Sequence, residues 1–221
     1  MYRHYASVVV LLLLAACGSS PPAPEQAAKA DTAASKQEAG DAAAAGATAP
    51  VVEEPLPPEA VQKFDQAVVH MSGGNPAAAE SELRALVDAY PTYSGPLLNL
   101  GILQAKASRF EDAEKSLRAA VDRNGNNAQA FNQLGIVYRK LGRFKEADVA
   151  YQRAVEIDPN YAIAYLNLGV LCDLYLQQPQ RALEAYERYL ALAGAPDEKV
   201  NGWVTELKKR LGSEPRSARA Q

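Results

Sequence analysis

The chain is poor in the residues that usually carry chemistry. Its 221 residues include two cysteines, Cys17 and Cys172, and two histidines, His4 and His70. Two thiols make no disulfide framework, and neither stands at metal-ligand spacing from other candidate ligands. His70 is the one histidine beyond the first residues, and no partner for a dyad or triad is legible around it. There is no phosphate-cradling glycine loop and no serine nucleophile elbow. No catalytic residue, metal or cofactor is therefore expected. No apolar run approaches the about 20 residues a permanent membrane-spanning helix needs. Charge of one sign is also scarce. The net charge of −3 comes from residues 18–59, with seven acids and two bases, while 60–221 holds 20 bases against 19 acids. A nearly neutral domain lacks the basic footprint that nucleic-acid binding requires.

What is present changes along the chain. Met1-Tyr2-Arg3-His4 is a short basic start, and Val8 to Leu14 is an apolar run. Together they read as a secretory signal peptide over 1–16. The run ends in Leu14-Ala15-Ala16-Cys17-Gly18, which resembles the lipobox of bacterial lipoproteins. That resemblance implies cleavage before Cys17 and lipidation of Cys17, a palmitate-type modification. Two or more acyl chains suffice for stable anchoring. Gly18, rather than Asp, follows the cysteine, which under the enteric sorting rule implies the periplasmic face of the outer membrane. The alternative is an ordinary signal peptide with an incidental cysteine.

Residues 17–59 then read as a lipidated cysteine and a disordered tether. Ala, Pro, Gly and Glu dominate, and large apolar residues are nearly absent, so burial cannot offset the entropy of ordering. As a flexible chain, about 41 residues have a root-mean-square reach of roughly 35 Å.

From Ala60 a repeat appears. Gly101, Gly135 and Gly169 are 34 residues apart, as are Leu100, Leu134 and Leu168. Ala79, Ala113 and Ala147 share the spacing, and Ala182 follows 35 residues on, so the last unit holds one inserted residue. Leu83, Leu117, Tyr151 and Tyr186 form another column. The fullest unit, 128–161, carries Phe131, Leu134-Gly135, Tyr138, Gly142, Phe144, Ala147, Tyr151, Ala154 and Pro159. This pattern resembles the tetratricopeptide repeat. Unit 162–196 departs with Cys172 and Tyr189, unit 94–127 with Gly125 in place of the proline, and unit 60–93 with Ala67 in place of the glycine. The expected fold is all-α: a tetratricopeptide-repeat solenoid of four helix-turn-helix units, 60–93, 94–127, 128–161 and 162–196. No such unit buries its apolar face alone, so stacking makes the core. Val200, Trp203, Val204, Leu207 and Leu211 recur at helical spacing, predicting a capping helix over 197–212. Residues 213–221 read as a flexible tail.

In the tetratricopeptide family the first helix of each unit lines a concave groove through its second, fifth, sixth, ninth, twelfth and thirteenth positions. The resemblance therefore implies a partner-binding groove of Leu98, Asn99, Ile102 and Lys106, then Gln129, Asn132, Gln133, Ile136, Arg139 and Lys140, then Leu166, Asn167, Val170 and Asp173, with Phe64, Val68 and Met71 in the first unit. Amides can pair with a peptide backbone and apolar residues can accept its side chains. Arg139 and Lys140 suit an acidic segment or a terminal carboxylate. The expected function is a non-enzymatic, lipid-anchored scaffold that binds other envelope proteins or peptides and no nucleic acid. The architecture is similar to outer-membrane lipoproteins of type IV pilus assembly or to adaptors of cell-wall hydrolases. The alternative is a homo-oligomer, a self-assembling subunit of an envelope complex.

Overall fold

The computed structural model describes residues 55–213. The signal peptide, Cys17, most of the tether and the segment 214–221 lie outside the described residues. Within them the chain forms nine helices and no strand: α1 (Pro58–Ser72), α2 (Pro76–Ala89), α3 (Ser94–Lys106), α4 (Phe110–Arg123), α5 (Ala128–Lys140), α6 (Phe144–Ile157), α7 (Ala162–Leu174), α8 (Pro179–Leu192) and α9 (Glu198–Ser213). Consecutive helices pack in pairs, α1 with α2, α3 with α4, α5 with α6 and α7 with α8. Each pair rests on the next, and α9 closes on α8. The result is a tetratricopeptide-type all-α solenoid.

Local chemistry starts and stops these helices. Pro58 opens α1 two residues earlier than the repeat pattern predicts, because proline presets the helical φ and lacks only an N–H that would be orphaned there. The side chains of Asn75 and Asn127 cap α2 and α5 by accepting from Ala78 N at 3.3 Å and Ala130 N at 2.9 Å. Asp197 caps α9 by accepting from Val200 N at 3.1 Å, and its second oxygen accepts from the Tyr189 hydroxyl at 3.0 Å. That shared carboxylate ties the last helix to α8. The turns within the second to fourth pairs each hold one residue with positive φ: Ser108, Gly142 and Gln177. Only one of the three is glycine. The residue inserted in the last repeat lies in this turn, which runs Tyr175–Gln178 between α7 and α8, against Leu141–Arg143 between α5 and α6.

The glycine column sets how close the two helices of a pair come. A β-carbon at Gly101 would sit 2.5 Å from Leu117 Cγ, one at Gly169 2.5 Å from Tyr186 Cδ1, and one at Gly135 would overlap the Tyr151 ring. Tyr151 and Tyr186 are almost wholly buried, so neither ring has room to retreat. Stacking then joins the second to fourth pairs and α9 in one apolar core, while Ala67, Ala79 and Leu83 of the first pair form a smaller cluster with Leu100 and Leu103. Val200, Val204, Leu207 and Leu211 of α9 are buried, and Trp203 stacks on Tyr186 with ring centroids 5.3 Å apart.

A polar ladder runs across the unit boundaries. Arg109 reaches back to Glu80 at 2.5 Å, Arg143 to Glu114 at 2.6 Å and Arg181 to Asp148 at 2.7 Å. Each pair links one unit to the unit before it. The Arg109 guanidinium, with help from Arg84, holds the Glu80 carboxyl well below the usual carboxylate range, at about 2. His70, in the last turn of α1, faces Glu82 with Nε2 3.5 Å from Oε1, a partner across the helix pair that the sequence did not reveal.

Candidate functional site

The first helices of successive pairs, α1, α3, α5 and α7, are neighbours in space, so the residues expected to line a groove do come from adjacent elements. Their surroundings differ sharply. Lys106, Gln129 and Lys140 are exposed. Ile102, Gln133, Ile136, Arg139, Leu166 and Val170 are half-buried, as are Asn99, Asn167 and Asp173.

Two expected contact residues are not on the surface at all. Leu98 is 6% exposed and belongs to the core, and Asn132 is 1% exposed. Asn132 accepts from Asn167 Nδ2 at 2.9 Å, and its own amide points to the Tyr161 hydroxyl. A buried amide must have its partners within the protein, so Asn132 stitches α5 to α7 rather than meeting a ligand. Asp173 is likewise committed: Arg210 of α9 donates to its carboxylate at 2.8 Å. Asn99 donates to Gly95 O at 3.2 Å, within its own helix. For Asn132 and Asp173 the cause is the same, since residues facing the inside of a superhelix also face the next helices along.

Arg139 and Lys140 are adjacent in sequence and unlike in setting. Lys140 is exposed. The Arg139 guanidinium lies 5.8 Å from the Tyr175 ring centroid and next to the buried Tyr151 hydroxyl. Burial opposes its charge, but the two phenols more than offset this and hold its pKa above the ordinary arginine value. Burial raises the pKa of Tyr151. Neither Arg139 Nε nor the Tyr151 hydroxyl, both buried, finds a hydrogen-bond partner of good geometry.

Cys172 is wholly buried, and burial pushes its thiol up to about 11. Such a thiol is a small packing group and a poor nucleophile. Among the described residues no group of acids, histidines and cysteines is arranged to hold a metal, and no helix is long and apolar enough to cross a membrane.

A second concave feature lies away from that face. Between α4 and α6, over a floor of Phe131, Leu134 and Tyr138 from α5, opens a cleft of about 450 Å³. Val121 and Ala150 complete its apolar lining, with Arg118, Asp122, Lys145 and Glu146 at the rim. Beside it stands Val149, 69% exposed. The sequence signal was present in the columns: Lys115 and Glu184, at the same register in the neighbouring units, are both charged.

Comparison with known proteins agrees with the repeat. Tetratricopeptide-repeat models match residues 128–161 and 150–184. No curated protein sequence matches the chain. Among solved structures, a MamA protein is 24% identical, covering 69% of this chain and 82% of its own, with a TM-score of 0.61. MamA of Desulfovibrio magneticus RS-1 is 20% identical, covering 72% and 88%, with a TM-score of 0.61. The pilF protein of Pseudomonas aeruginosa is 20% identical, covering 68% of each chain, with a TM-score of 0.62. Identities this low speak for the fold alone. With the two matched segments, the repeat period, the helix pairs and the glycine–aromatic contacts, they show that the chain carries tetratricopeptide repeats and has the fold those repeats build.

Proposed function

We propose that the protein is a lipid-anchored scaffold of the bacterial envelope that holds a segment of a partner protein along α3, α5 and α7. The observation that carries this reading is the band of half-buried Ile102, Ile136, Leu166 and Val170, flanked by the exposed cations Lys106 and Lys140. Such a surface accepts apolar side chains and draws in a segment bearing acidic residues. Anchoring rests on the Leu14-Ala15-Ala16-Cys17 signal, and the periplasmic face of the outer membrane on Gly18. Service in pilus or secretion-system assembly follows by analogy of anchor and fold, which is an associational argument.

The test is capture of partners from envelope extract by the full chain, beside a variant with Lys106→Glu and Lys140→Glu. The expected result is one envelope protein retained by the natural chain and lost by the variant. Equal retention by both would move binding off this face. For the anchor, Cys17→Ala should leave the precursor unprocessed or release the protein from membranes. Unchanged processing and fractionation would remove the lipoprotein reading.

A further inference from the structure

The cleft between α4 and α6 plays no part in the proposed groove, and its chemistry is self-complementary. Its floor is apolar, and Val149 projects beside it where the neighbouring units carry Lys115 and Glu184. All three side chains are exposed, so the valine is not demanded by packing within its own unit. The rim adds a second observation. Asp122 lies on the α4 wall and Lys145 on the α6 wall, and among the described residues neither forms an ion pair or a side-chain hydrogen bond. The other two rim charges are engaged, Arg118 with Glu114 and Glu146 with Arg143.

We propose that this cleft docks a second copy of the chain in a two-fold contact, each copy's Asp122 facing the other's Lys145. A two-fold contact uses the same patch on both partners, so that patch must carry its own complement. A two-fold axis crossing the cleft midway between Asp122 and Lys145 sets each residue opposite its counter-charge in the second copy. The same axis turns the α6 wall, with its exposed Val149, toward the α4 wall and the apolar cleft of the second copy. A partner segment of one charge would meet an attractive and a repulsive group at this rim; a second copy meets two attractive pairs. The contact is independent of the α3, α5 and α7 face, so either reading can fail without the other.

Sedimentation equilibrium of the full chain in density-matched detergent, over a range of concentrations, tests the proposal. The natural chain is expected to pass from monomer to dimer as concentration rises. Val149→Lys, which copies Lys115, is expected to raise the dissociation constant by about tenfold or more with an unchanged helical circular dichroism spectrum. Asp122→Lys and Lys145→Asp should each weaken the dimer alone, since each sets like charges together. An equimolar mixture of those two variants should dimerise again, because opposite charges then face each other across the contact. A natural chain that stays monomeric, a dimer indifferent to Val149→Lys, or a mixture that behaves as its separate components would each overturn the proposal.

Discussion

The two ends of the solenoid meet the same problem differently. At the C-terminal end α9 lays Val200, Val204, Leu207 and Leu211 against the last pair, and Trp203 covers the Tyr186 ring. At the N-terminal end α1 has no helix before it among the described residues, and Val61, Val68 and Val69 stand 41%, 40% and 64% exposed. The packing within the pairs differs in parallel. The third unit sets Gly135 against Tyr151, whereas the first sets Ala67 against Leu83 and joins only a small cluster with α3. The first pair accommodates the Ala67 methyl beside Leu83, whereas the later pairs leave no room for one at Gly101 beside Leu117, at Gly135 beside Tyr151 or at Gly169 beside Tyr186. In a stacked-repeat protein, where each unit touches only its neighbours, this predicts that stability rises from α1 toward the third and fourth units.

The largest effect should come from adding one methyl group where the ring leaves no space. Gly135→Ala forces the fully buried Tyr151 out of place and should cost about 3 kcal/mol, lowering the melting temperature by roughly 10 °C in a domain of this size. Ala67→Gly, at the same register of the first unit, should cost only about 1 kcal/mol, through helix propensity. Thermal melts of the two variants compare the units directly; equal losses would refute the difference in packing. Next, Trp203→Ala should cost about 2 kcal/mol, below the figure for a fully buried tryptophan because this ring is half-buried. Hydrogen exchange should then show faster opening of α8 and α9 with α1 unchanged. Uniform acceleration throughout the chain would mean that the two ends are not energetically separate.

The smallest effect concerns the boundary between the first two units. Because Arg109 holds the Glu80 carboxyl at about 2, below its ordinary 4.5, this pair contributes stability above about pH 4.5 that fades as the pH falls toward 2. Glu80→Gln removes that contribution, so the gap between variant and natural chain should be widest near neutrality and narrow through that window. A gap independent of pH would show that the Glu80–Arg109 pair adds no net stability.

The fold was legible because its signals are local and repeat. Gly101, Gly135 and Gly169 mark close backbone approach, the Ala and aromatic columns fill the same contacts, and the apolar spacing of Val200 to Leu211 marks the last helix. The end of the tether was less legible: Pro57-Pro58 read as linker, although proline is well suited to a first helical turn. The surface was least legible. Asn99, Asn132 and Asn167 looked alike as polar residues on first helices, and only packing separates them, with Asn132 sealed between α5 and α7 and Asn167 donating to it. Asp173 looked free until Arg210, 37 residues away, came to rest on it.

By itself, then, the order of residues determined the period, the helix pairs and the likeness to the tetratricopeptide family, because close helix approach demands small residues at fixed intervals whatever lies beyond. Only the tertiary structure decided which polar groups are spent inside the solenoid, how Arg109, Arg143 and Arg181 bind each unit to the one before, and that Val149 stands beside an open cleft. Those outcomes depend on side chains that meet across stacked units, and the distance between such partners is written in the superhelix rather than in any local stretch of sequence.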